Sequence, residues 1–257
     1  MSIHYYHNDA HLQMGITLRD SDLPEAGNMG IHSYQDLAAV LANRKAFFQA
    51  THVSPDHFVQ AHQTHSKRAV EVSLADGGKG ALSNDTAIPQ TDALYTFDEE
   101  LMLGIFTADC VPILFYDQKT PLIGVIHSGW RGTVQNITRV TFAQIFAVHP
   151  EVQAETIQVQ IGPALCQKHF EVDEDVYLQF KDLEGSKGNI SYQADSGKWH
   201  IDNQAVVRNQ CLHLGIRPEN IQVDPMDTYT SPQGFSYRQN QTKGRHMGFI
   251  WQKGRVN

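Results

Sequence analysis

The sequence predicts a single domain that mixes β-strands with α-helices. Three observations lead there. Short apolar runs, "LMLGIFT" (101–107), "VPILFYD" (111–117), "LIGVIH" (122–127) and "TIQVQIG" (156–162), are too brief for helices and rich in strand-forming residues, so they read as buried strands. Segments with apolar residues at helical spacing stand between and around them. The chain has 257 residues, 41% hydrophobic and 19% charged, enough for one large core, and no repeat, heptad or linker divides it.

Taken in order, residues 20–30, "DSDLPEAGNMG", read as loop. In "SYQDLAAVLANRKAFFQA", Ser33 and Asp36 resemble a capping box, and Leu37, Val40, Leu41 and Phe48 fall on one helical face, which predicts a helix over 34–48. Residues 67–75 alternate as a strand, and 76–91, rich in Gly, Asn, Asp and Pro, form a loop. After "SGWRG", the spacing of Val134, Ile137, Val140, Phe142 and Ile145 predicts a helix that Pro150 ends. Asp202 caps a further helix through "NQAVVRNQCLHLG", with Gly215 as its stop. "NIQVD" and "HMGFIWQ" read as closing strands. Strand order is not legible.

Composition narrows the function. The formal net charge is -8, from 28 acidic and 20 basic residues, and no lysine/arginine run exceeds two. A surface that tracks nucleic acid is therefore not expected, whereas a small anionic substrate needs only one or two basic groups. The N-terminal "MSIHYYHNDAHLQMG" lacks the basic start and apolar run of a signal peptide, and no segment approaches eighteen apolar residues. A cytoplasmic protein with no membrane partner is expected. Cys110, Cys166 and Cys211 are odd in number and widely spaced, so they are expected as free thiols or ligands.

Three segments carry candidate chemistry: His65 in "QTHS", Cys110 in "TADCVP" and His127 in "HSGWRG". Two imidazoles and a thiolate suit zinc, and three protein ligands leave a fourth position open for water or substrate, the arrangement of a catalytic site. The same ligands also accept copper. Read one at a time, each residue has an ordinary alternative: Cys110 a small buried hydrophobe, His127 a satisfied histidine at a strand end, His65 a surface histidine. Cys110 as a nucleophile with a histidine base is a competing enzymatic reading, and a metal-storing or partner-binding protein a non-enzymatic one. In "GWRG" (129–132) the glycines allow a sharp turn, Arg131 offers a guanidinium fork for phosphate or carboxylate, and a helix after Gly132 would present free N–H groups to an anion. Trp130 either stacks on a flat ring or wedges the turn.

The segments "NMG…NRKAF", "QTHS", "TDALYT", "TADCVPI", "HSGWRG", "IGPALC" and "GFSYR" resemble, in order, the signature segments of the YfiH family, also called multicopper polyphenol oxidase-like or laccase-domain proteins. The resemblance runs from about residue 14 to 250. It implies an α+β fold of four layers, α/β/β/α, with mixed sheets in one domain over 1–257. It implies that His65, Cys110 and His127 are the metal ligands; from the residues themselves, His62, beside His65, supports the ligands, faces the substrate or shuttles a proton, and Arg131 joins the catalytic set by holding phosphate. The activity it implies is purine nucleoside phosphorylase, acting on adenosine, inosine and methylthioadenosine with phosphate, plus adenosine deaminase. Peptidoglycan precursor editing by an amidase and copper-dependent polyphenol oxidation are the alternatives, although one Cys and two His cannot house a multinuclear copper cluster. Asp109 adjoins the cysteine, and strand alternation would turn it to the opposite face, which suits structural support. The chain departs from the family pattern at Ser128, at Lys168 and His169 where a cysteine pair is common, at Asp227 where a cysteine is common, at Gln239, and in "TLRDSDL", which lacks the usual glycines.

Overall fold

The computed structural model describes residues 1–253. Two mixed sheets carry the fold. The first has the order β1 (Ile3–Asn8), β2 (Leu12–Thr17), β14 (His246–Gln252), β6 (Met102–Thr107), β3 (Phe58–Gln60). The second has the order β13 (Ile221–Val223), β9 (Ile157–Ile161), β7 (Val111–Asp117), β8 (Ile123–Ser128), β5 (Ala93–Thr96), β4 (Ala69–Glu71). Alternation along the strands sends side chains to both faces, and here both faces are covered. Leu103, Ile105, Met14 and Ile250 of the first sheet meet Leu94, Leu114, Ile123 and Val125 of the second in the central layer.

The opposite face of the first sheet, with Phe58, Met102, Phe106 and Phe249, packs on Phe47 and Phe48 of α1 (Leu37–Thr51). The opposite face of the second, with Val111, Ile113, Phe115 and Ile126, packs on α3 (Ile137–Val148) and α5 (Asn203–His213) through Phe142, Ile145, Val207 and Cys211. The result is the four-layer α/β/β/α arrangement. Strands apolar on both faces are what this stacking demands, which is why the short runs read so plainly in the sequence. A third small sheet, β10 (Glu171–Val172), β12 (Lys198–Ile201), β11 (Ile190–Gln193), lies beside α4 (Glu174–Phe180). Two short helices, α2 (Trp130–Val134) and α6 (Tyr237–Asn240), complete the set.

Several boundaries differ from expectation. The first helix starts at Leu37 with Asp36, not Ser33, as its cap, because Asp36 accepts from the Ala38 N–H. Glu25 explains the shift: its carboxylate takes the backbone N–H groups of Gln35 and Asp36 and holds them outside the helix. The helix expected after "SGWRG" breaks at Asn136, which is left-handed at φ 57, giving α2 and α3. The strand expected over 67–75 is only Ala69–Glu71 before a turn of 3-10 helix. The caps at Asp202 and Gly215 are as expected, with Gly215 at φ 90.

Inside the first helix Arg44 is fully buried and faces no carboxylate among the described residues. It donates to the carbonyls of Met29, Gly80 and Ala81 and to Gln60 Oε1, and lies 4.9 Å from the centre of the Phe106 ring. The helix, the 80–81 loop and Phe106 are thereby locked together.

His246, at the start of β14, is also buried. Its Nδ1 donates to the Thr17 carbonyl at 2.8 Å and its Nε2 accepts the Phe235 N–H at 2.7 Å, so the neutral ring is fully satisfied. Burial, helped by the Arg245 charge, pushes its pKa down from 6.5 to about 4. The unfolded chain takes up the proton first, so stability is lost as pH falls from 6.5 to 4, by about 3 kcal/mol. The ring is expected to stay neutral by NMR at pH 5; protonation with an ordinary midpoint would refute this.

Candidate active site

The ends of four strands meet at one rim. His127 and Ser128 close β8, Cys110 immediately precedes β7, Asp92 precedes β5, and His65 lies on the loop between β3 and β4. Cross-strand register fixes two of these, since Val111 pairs with Ser128 and Pro112 with His127. His65, Cys110 and His127, 45 and 17 residues apart in sequence, converge so that one donor atom from each lies within 4.8 Å of the others. Cys110 Sγ is 3.8 Å from His65 Nε2, and the two imidazole rings are 4.8 Å apart between centres, at 71° to each other. Tetrahedral zinc at ordinary bond lengths needs about 3.5 Å between a sulfur and a nitrogen ligand. The donor set and its spacing fit such an ion.

Electrostatics point the same way. Burial pushes the Cys110 thiol up, but the imidazoles of His127 and His65 outweigh it and bring its pKa down, which favours the thiolate. Burial opposes the charge on His127 too, and the Cys110 thiolate and Asp92 outweigh that, raising it to about 9. Its Nδ1 is fixed by Asp92 Oδ1 at 2.8 Å. The proton on the opposite nitrogen, Nε2, is the one a cation would displace.

Asp92 is the organising residue, and the sequence reading attached no role to it. Fully buried, it accepts from the backbone N–H groups of Thr64, His65 and Ser66 and from the Ser66 hydroxyl, besides orienting His127. His65 has φ 58, a left-handed conformation that a bulky residue rarely adopts, and these three N–H bonds hold it there. In "TDALYT" the one local sign of it is an acid placed directly before an apolar strand.

Gly129 has a different role from the turn expected of it. Its φ is -64, and it is the N-cap of α2. A Cβ there would lie 2.7 Å from His65 Cδ2 and 2.9 Å from Cys110 Sγ, so any side chain would displace the triad. The helix begins at Trp130, so Arg131 and Gly132 sit inside its first turn and not before it. Asp109 is likewise not on a strand. It is left-handed at φ 80, accepts from the Thr228 hydroxyl at 2.7 Å and the Arg238 backbone N–H at 2.6 Å, and so holds the loop that carries Cys110.

The triad forms the floor of a cavity of about 490 Å³. Arg131 lines it, with its guanidinium 4.3 Å from the Trp130 ring and no hydrogen-bond acceptor among the described residues. Trp130 lines the cavity and packs on the small core around Phe170 and Phe180. His62 is not among the lining residues: it is exposed, with its backbone N–H on the Ile88 carbonyl. Gln63 lines the wall instead, its amide clamped to the backbone of Phe106 at 2.8 Å on both sides. Three residues that the sequence reading did not select also line it: Arg238, Arg245 and Asn203. Asn203 gives its amide N–H to the Ser128 carbonyl, while its Oδ1 is buried and has no donor.

A family model described as multi-copper polyphenol oxidoreductase laccase matches residues 16–253. The chain belongs to this family. Among its curated relatives, purine nucleoside phosphorylase YlmD of Bacillus subtilis is 33% identical over 231 residues, covering 89% of this chain and 83% of its own. Adenosine deaminase RL5, from an unknown prokaryotic organism, is 32% identical over 187 residues, covering 72% and 71%. The crystal structure of YlmD from Geobacillus stearothermophilus superposes with a TM-score of 0.88 at 28% identity, covering 95% of this chain and 93% of that one. YfiH of Bacillus licheniformis gives 0.87 at 29%, covering 94% and 93%. No helix among the described residues of this laccase-family chain is long and apolar enough to cross a membrane.

Proposed function

We propose that this chain is a zinc-dependent purine nucleoside phosphorylase acting on adenosine, inosine and methylthioadenosine, with adenosine deaminase activity in the same cavity. The observation that carries the reading is the convergence of His65, Cys110 and His127 on the floor of a cavity whose walls hold Arg131, Arg238 and Arg245. Three guanidinium groups around one cavity, in a chain of net charge -8, make a local site for an anion. The relatives named purine nucleoside phosphorylase and adenosine deaminase support both halves. Zinc, when bound, supplies a Lewis acid at the cavity floor.

The chain's own residues divide the remaining work. Arg238 and Arg245 each spend one guanidinium nitrogen on backbone carbonyls, of His169 and Glu171 and of Thr242 and Gly244, so their positions are fixed. Arg131 is free of such bonds and is the cation available to clasp phosphate. Phe106, Trp130, Leu165 and Phe170 provide apolar surface for a purine.

The test supplies adenosine to zinc-loaded protein with and without phosphate and separates the products. Adenine with ribose 1-phosphate is expected with phosphate, and inosine without it. Neither product above a Cys110→Ala control, with release of an amino acid from a peptidoglycan precursor, would replace this reading by amide hydrolysis. Arg131→Ala is expected to raise the apparent phosphate constant by about 10- to 100-fold, the worth of a charge-assisted pair, and Arg131→Lys to recover only part, because it keeps charge and loses the fork. An unchanged phosphate dependence would remove Arg131 from the site.

A further inference from the structure

We propose that Cys166, His169 and Asp227 form a second zinc site behind the wall of the cavity. Cys166 Sγ is 3.3 Å from His169 Nδ1, and the same nitrogen is 2.7 Å from Asp227 Oδ2. One donor atom from each of the three residues lies within 4.8 Å of the others. Sulfur, imidazole nitrogen and carboxylate oxygen are a borderline ligand set that zinc accepts, and tetrahedral zinc needs about 3.5 Å between its sulfur and nitrogen ligands.

The proton count argues for a cation at this point. The imidazole carries at most one hydrogen on Nδ1, and that atom faces both the thiol and the carboxylate. The short contact to Asp227 takes that hydrogen, which leaves the sulfur beside a nitrogen with no lone pair to offer it. A metal ion among the three serves all of them at once. The same geometry separates this cluster from a nucleophile with its base. A relay would use opposite ring nitrogens for the thiol and the acid, whereas here both contacts fall on Nδ1.

The cluster is also pre-built. A tight turn brings His169 back over Cys166, with the N–H groups of His169 and Phe170 both on the Cys166 carbonyl. Asp227 Oδ1 accepts the backbone N–H groups of Cys166 and Tyr229, and Thr230 donates its hydroxyl to Oδ2 at 2.8 Å. Tyr229 stacks on the His169 ring, 4.4 Å between centres at 16°. The side chains of His169 and Asp227 are 18% and 12% exposed, so the pair is sheltered, with a path to solvent for an ion and its water ligand. Three protein donors leave that fourth position to water.

What the site would stabilise follows from its neighbours. Leu165 and Phe170, on either side of the turn, line the cavity, and Arg238 donates to the His169 carbonyl. Thr228, next to Asp227, donates to Asp109, which adjoins Cys110. An ion here ties the 164–170 segment to the 227–230 segment and fixes one wall of the cavity without touching its floor.

The experiment uses the full chain, stripped with a chelator and titrated with zinc. Two equivalents are expected for the wild type, one for the double variant His65→Ala/Cys110→Ala, and none when Cys166→Ser is added to that double variant. Cobalt in the double variant is expected to give a thiolate charge-transfer band that the added Cys166→Ser removes. As a check that needs no variant, alkylation of the wild-type protein is mapped by mass spectrometry at zero, one and two equivalents of zinc, with protection of Cys166 completed by the second. No zinc bound by a folded double variant, or equal Cys166 labelling with and without zinc, would overturn the proposal.

Discussion

Cys110→Ala is expected to lower turnover by about 10³-fold or more, the rate equivalent of the several kcal/mol that a metal supplies to a transition state. The substitution removes the only thiolate of the triad and leaves two imidazoles, which hold a zinc ion far less firmly. It also removes one of the two partners, the other being Asp92, that raise the His127 pKa. Nucleoside binding should survive, because the apolar walls are untouched, so the loss belongs in kcat more than in KM. Phosphorolysis and deamination should fall together. Metal content and steady-state kinetics measured on the same preparation test this. Full zinc content with full activity in Cys110→Ala would refute both the ligand assignment and the shared site.

Asp92→Ala carries the largest expected effect on stability, about 3–5 kcal/mol, because it strands three backbone N–H groups and an imidazole in a place water does not reach. For a chain this long that corresponds to a fall of roughly 10 °C in Tm. Asp92→Asn is the sharper probe. Its amide nitrogen can only donate, so where that nitrogen meets His127 Nδ1 the ring must carry its hydrogen on Nε2, the atom that faces Cys110. Metal affinity should then drop by about 10- to 100-fold even where the fold persists. Burial raises the Asp92 carboxyl, and the bonds from His127 and Ser66 outweigh it and hold the pKa at about 2. The folded pKa is depressed, so its contribution is full above about pH 4 and is lost as pH falls towards 2. Chemical denaturation at pH 7 and pH 3 should show that loss in the wild type and little of it in Asp92→Asn. Equal losses in the two would remove Asp92 from this role.

The fold was legible where burial is two-sided. "LMLGIFT" and "VPILFYD" face packed residues above and below, so they are almost continuously apolar, and their shortness marks them as strands and not helices. β1 escapes for the opposite reason, since "IHYYHN" is half-exposed along its length and shows neither period, while β2, "LQMGIT", is buried throughout but its apolar run is broken by Gln13 and Gly15. The β11–β12 hairpin, also half-exposed, was missed likewise. The layer order came from family resemblance and not from periodicity. The three donor residues were visible as reactive types at strand ends. Asp92, Asn203, Arg238 and Arg245 gain meaning only once distant segments meet, since nothing local to "TDALYT" announces three N–H groups from residues 64–66. The Asn136 break was hidden because the apolar spacing runs through it unchanged.

The position of β14 has a consequence for biosynthesis. It pairs antiparallel with β2 on one side and β6 on the other, so a segment made late is the keystone of the first sheet. A nascent chain that has not yet released residues 246–252 holds that sheet as two separate pieces, with β2 and β6 presenting bare edges to each other's neighbours and to other chains. Arg245, just ahead of this strand, reaches the cavity wall at the same late moment. The first sheet is therefore expected to close only once residues 246–252 have left the ribosome. Premature termination upstream of residue 246 would yield fragments destined for chaperones and proteases, with no partially active product among them.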